Sequence, residues 1–137
     1  MSPEIYTEKV SVNINTSTLS SIDLLVDNGY YSNRSDFINQ AVRAELQRQQ
    51  SITEHIVRRN EQKAENEHDW FIGIYGITAK DVEEMFRDGE CTDVTGYGLL
   101  IIHEGCDEEK LFQVVRSISV RGRVKASASI KAHYGIR

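Results

Sequence analysis

Residues 8–14 read Glu-Lys-Val-Ser-Val-Asn-Ile, and Val10, Val12 and Ile14 alternate there with Lys9, Ser11 and Asn13. Successive side chains leave a β-strand on opposite sides, so this is the period of a strand with one buried face. No second alternating run follows at hairpin distance. A lone strand leaves both rows of backbone donors and acceptors unpaired and is unstable on its own in water. The simplest completion is the same strand from a second chain.

Helix signals follow at once. Asn15-Thr16-Ser17-Thr18 is a run of capping residues, and Leu19, Ile22, Leu25 and Val26 recur at helical spacing before Gly29. The spacing predicts a short helix over about 17–28, with Gly29 at its C-terminal cap. Ser32 reads as the cap of a second helix whose apolar stripe is Phe37, Ile38, Ala41, Val42 and Leu46. Residues 47–68 are polar and rich in helix formers, which predicts a helical extension or linker.

The stretch 8–48 resembles the ribbon-helix-helix fold of the Arc, MetJ and CopG repressors. The residues that carry the resemblance are Lys9-Val-Ser-Val-Asn-Ile14, Leu19 to Val26, and Asn33-Arg-Ser-Asp-Phe-Ile38 leading into Asn39-Gln-Ala-Val-Arg43. The resemblance implies that two chains pair their strands antiparallel and close the apolar faces over four helices. It also implies that the outward residues Lys9, Ser11 and Asn13 meet base edges in the major groove, which admits a two-stranded ribbon. The start of the second helix, at Ser32, Asn33, Arg34 and Ser35, is then expected to grip a phosphate through backbone amides and the helix dipole.

The remainder reads as a second domain. Trp70 to Tyr75 is an apolar run, either strand or buried turn, and Thr78 with Asp81 resembles a capping box for a helix over about 79–88 that Gly89 can end. Tyr97 to His103 suits a buried strand. Asp107 is expected to start a helix with Leu111, Val114, Val115 and Ile118 on its inner face. Ser119 to Lys125 reads as a third strand and Ser127 to Tyr134 as a closing helix. No internal repeat is visible. The expected whole is an α+β chain: a ribbon-helix-helix dimer over 1–50, a helical linker over 51–69, and a small mixed α/β domain over 70–137 that assembles dimers or binds an effector. Trp70, Phe71, Tyr75 and Phe86 would supply its core, a pocket or an interface.

The net charge of −5 argues against nucleic acid only if charge is evenly spread. It is not, because Arg116 to Arg137 holds six basic residues and no acidic one. The ribbon offers a single cation, Lys9, beside Glu8, so non-specific affinity should be modest. Cys91 and Cys106 are too few for a disulfide framework, and no apolar run reaches membrane-spanning length, so the expected compartment is the cytoplasm. His68, Cys91, His103, Cys106 and His133 are candidate soft-metal ligands, with His103-Glu-Gly-Cys106 at chelate spacing, but no clustered set stands out. Gly96-Tyr97-Gly98 precedes a strand rather than opening a helix, so it is no phosphate loop. No nucleophile–base pair is evident. The expectation is therefore a DNA-binding regulator, most simply a repressor, with no enzymatic activity, no cofactor and no bound metal. Its partners would be double-stranded DNA and further copies of itself, as a dimer and then a tetramer or higher assembly. An antitoxin or a metal-responsive repressor is the alternative.

Overall fold

The computed structural model describes residues 6–64 and 68–137, and the chain divides into two compact units, Met1–Ile52 and Thr53–Arg137. In the first unit, α1 (Thr16–Asp27) begins where the Asn15 side chain accepts from the Ser17 amide at 2.9 Å. It ends through Asn28, and Gly29 takes the left-handed turn at φ 82°. The second helix, α2 (Arg34–Arg48), is capped by Asn33 rather than by Ser32. Both are capping residue types. The choice falls to Asn33 because its side chain accepts from the Asp36 amide at 2.8 Å while the Asp36 carboxylate reaches back to the Ser32 amide at 3.0 Å. A third helix, α3 (Gln50–Ala64), follows the Gln49 cap. Residues 65–67 of the expected linker lie outside the described residues.

The second unit alternates strands and helices: β1 (His68–Ile77), α4 (Ala79–Asp88), β2 (Thr92–Ile102), α5 (Glu108–Val114), β3 (Val115–Lys125) and α6 (Ala128–Tyr134). The strands lie in the order β1-β2-β3, and both pairs are parallel. The Thr78–Asp81 capping box opens α4, and Gly89 closes it in the left-handed conformation. Two strands start earlier than the sequence suggests. β2 begins at Thr92, not Tyr97, because its polar first half still turns Thr92 and Val94 into the core. β3 begins at Val115, not Ser119, so Val115 and Ile118 belong to a strand and not to the inner face of α5. The i, i+3 spacing of Val115 and Ile118 is helical, and a register shift where Thr92 and Asp93 pair with β3 lets both reach the core from a strand.

Three successive strand–helix units are present where the sequence shows no repeat. They are aligned by glycine: Gly73 pairs with Gly98, and Gly98 with Gly122, in one rung across all three strands. Each of the three has a positive φ, at 103°, 128° and 143°. A Cβ on Gly98 would collide with the Gly73 carbonyl oxygen, and one on Gly122 with that of Gly98. The shared signal is thus one glycine per unit, too sparse to register as self-similarity in the chain.

One face of the sheet carries the core. Val94 and Leu100 of β2 and Leu111 of α5 are fully buried, with Val82 of α4 and Ile130 of α6 packed into the same cluster. Tyr134 ties α6 down by donating to the Val115 carbonyl at 2.7 Å, and burial pushes its phenol up to about 12. Of the four aromatics singled out above, Phe71 is in the core and Tyr75 stacks on it, with centroids 5.3 Å apart. Phe86 is 41% exposed under the Lys110 ammonium. The opposite face is bare at Ile72, Ile74 and Tyr97, which are 55%, 60% and 53% exposed. Trp70 and Tyr97 on that face, with Ile56 and Asn60 of α3, help line a cleft of about 670 Å³.

Candidate nucleic-acid interface

Residues 6–15 run without a strand partner in the single chain, and every one of them is exposed. Lys9, Ser11 and Asn13 are therefore open to solvent, and so are the apolar residues that alternate with them: Val10 and Val12 are 77% and 72% exposed. The helices repeat this condition. Leu24 on α1 and Ile38, Val42 and Leu46 on α2 are exposed, and Ile22 is the one buried hydrophobic among the described residues of the first unit. Burying an apolar side chain of this size is worth about 1.5–3 kcal/mol. A unit that buries one of them and leaves these six uncovered lacks the greater part of its core.

At the start of α2 the polar groups are already committed. The amides of Ser32 and Asp36 are taken by the Asp36 carboxylate and the Asn33 side chain. The Ser32 amide, with the Gln40 side chain and the field of Arg43, holds the Asp36 carboxyl below the usual carboxylate range. The Arg34 guanidinium makes a two-pronged pair with Asp23 of α1, at 2.7 and 2.8 Å. The pair lowers the Asp23 carboxyl and raises Arg34 further. Of the residues expected at a phosphate, Asn33, Arg34 and Ser35 keep first-turn amides pointing out of the helix start, whereas Ser32 and the Arg34 side chain are engaged within the chain. The Arg34–Asp23 pair, bridging eleven positions, carries no local sequence signal.

The soft-ligand candidates are dispersed. The Cys91 thiol donates to the Gln113 carbonyl, Cys106 lies 3.9 Å from the Ile77 carbonyl, and the His133 ring stacks on Phe112. The side chain of His68 lies outside the described residues. Among the described residues no three of His, Cys, Asp and Glu converge to hold a metal. No helix among them is long and apolar enough to cross a membrane.

An alternating exposed segment is thus followed by two helices that carry exposed apolar residues of their own. The model of the ribbon-helix-helix transcriptional regulator family matches residues 5–131, and the chain belongs to that family. It is accordingly a DNA-binding transcriptional regulator, of a family that works as dimers. The match extends beyond the 8–48 stretch into α6, so the strand–helix units lie within it. No curated protein and no solved structure matches the chain.

Proposed function

We propose that the chain represses transcription as a homodimer whose two 8–14 segments pair antiparallel and enter the major groove. The observation that carries this reading is the coincidence of two exposures. Val10 and Val12 are bare on one side of the segment, and Leu24, Val42 and Leu46 are bare on the helices that follow. Pairing two segments turns both valines of each chain toward the helices and leaves Lys9, Ser11 and Asn13 on the outer face. Lys9 donates to guanine O6 and N7, Asn13 pairs bidentately with adenine, and the Ser11 hydroxyl serves as donor or acceptor. The free amides of Asn33, Arg34 and Ser35 take a backbone phosphate at the positive end of α2. Base contacts set sequence preference, and phosphate contacts set orientation. No step requires a metal, a cofactor or catalysis.

The test is selection of bound duplexes from a random pool, followed by Lys9→Ala and Asn13→Ala on the selected site. Each is expected to weaken the preferred sequence by about 1–3 kcal/mol and to relax the base preference at one position per half-site. Unchanged affinity and preference in both variants would sink the assignment of the ribbon.

A further inference from the structure

The two edges of the three-stranded sheet are built differently. β3 carries Arg116, Arg121, Arg123 and Lys125 along its eleven residues. Charges of this kind are how proteins guard an open strand edge against pairing. β1, the other edge, reads His-Asp-Trp-Phe-Ile-Gly-Ile-Tyr-Gly-Ile over ten residues. From Trp70 to Ile77 it holds no charge and no proline. Among the described residues it pairs only with β2, so its outer row of amides and carbonyls faces away from the sheet. A long, apolar, unguarded edge is a template for another strand.

The geometry points to a second interface between copies of this chain, in which β1 of one copy pairs antiparallel with β1 of another to make one six-stranded sheet. Three arguments select that occupant. Self-pairing of β1 brings no like charges together between Trp70 and Ile77, whereas self-pairing of β3 would set Arg121, Arg123 and Lys125 against the same cations. Pairing β1 with a neighbour's β3 would be head-to-tail and need several copies to close, while β1 on β1 closes at two copies with two-fold symmetry. The family's dimerisation also supplies the second copy, and a chain already tethered through one contact meets another at raised effective concentration. The inference does not depend on which bases the ribbon reads.

The test removes the ribbon contact and asks whether association survives. Val10→Asp/Val12→Asp in the full chain is expected to sediment at twice the 15.6 kDa chain mass, and adding Ile72→Lys/Ile74→Lys is expected to halve it. A Val10→Asp/Val12→Asp chain of single mass whose second unit still melts cooperatively overturns the proposal, and so does a mass that the lysines leave unchanged. A second measurement keeps the ribbon intact. In a Cys91→Ser/Cys106→Ser background, Ile72→Cys is expected to form an interchain disulfide on oxidation. Leu99→Cys on β2 is expected not to, because the two β2 strands would stand roughly 14 Å apart across the joined sheet. Cross-linking at Leu99 instead of Ile72 would mean that copies meet through the open face of the sheet, and the edge proposal fails.

Discussion

Arg34 donates from Nε to Asp23 Oδ1 at 2.7 Å and from Nη2 to Asp23 Oδ2 at 2.8 Å, fastening the first turn of α2 to α1. The guanidinium that sequence alone would lay on a phosphate already has a carboxylate. Asp23→Ala should release it beside the expected phosphate site. The plot of log affinity for DNA against log salt should then steepen by about 0.9 per chain, one added phosphate contact. In the parent chain Arg34→Ala should leave that slope almost unchanged. A slope that falls by about 0.9 in Arg34→Ala would show that Arg34 leaves Asp23 for the phosphate on binding.

The start of α2 also predicts a pH response. The amide of Ser32 and the side chain of Gln40 hold the Asp36 carboxyl below its unfolded value. A depressed carboxylate contributes stability that is complete above the unfolded pKa, near 3.9, and is lost as pH falls through the lower folded value. Thermal melts from about pH 5 downward should therefore show a falling midpoint. Asp36→Asn should lower the midpoint at neutral pH and flatten the acid decline. An acid profile as steep as the parent's would place the titration elsewhere.

Asn33→Ala removes the side-chain acceptor for the Asp36 amide, and should cost about 1 kcal/mol in chemical denaturation. Ser32→Ala leaves the Ser32 amide on Asp36 and should cost less. The reverse order would return the cap to Ser32.

The glycine rung separates backbone strain from collision. Gly89→Ala meets nothing within 4 Å at φ 68° and should cost only the left-handed penalty, about 1–2 kcal/mol. Gly98→Ala adds a direct clash with the Gly73 carbonyl at φ 128° and should abolish cooperative melting of the second unit. Similar losses for the two variants would mean that the strands can part at the rung.

Leu111→Ala empties a fully buried position between the helices and the sheet, and should cost about 2–5 kcal/mol. The loss should be confined to the transition of Thr53–Arg137. An equal shift of both units would show that the two unfold as one.

The first unit was the more legible because its signals are local. The capping residues around Asn15 and Asn33, and Gly29, each act within a few positions, whereas the alternation over 8–14 forms no strand in the single chain. The second unit shows what local signals miss. Thr92 to Gly96 begins a strand that polar residues disguise, and the i, i+3 spacing of Val115 and Ile118 reads as helix where a register shift beside Thr92 makes it strand. The choice between them is made by core partners that chain order does not reveal. The three-fold strand–helix plan rests on Gly73, Gly98 and Gly122, whose common role is visible only once the strands stand side by side. The Arg34–Asp23 pair is of the same kind, since nothing in either neighbourhood announces the other.

Ile22, the single buried hydrophobic among the described residues of the first unit, has a consequence for how much of this protein must be made before it acts. Where folding and association are one event, stability is set by protomer concentration and not by sequence alone. A newly synthesised chain at low abundance holds its Met1–Ile52 unit short of a core and open to degradation. In the proposed homodimer the unit would become both durable and able to grip an operator above the association threshold. The supply of the regulator is thereby a variable in its own switching curve, steeper than single-site occupancy would give.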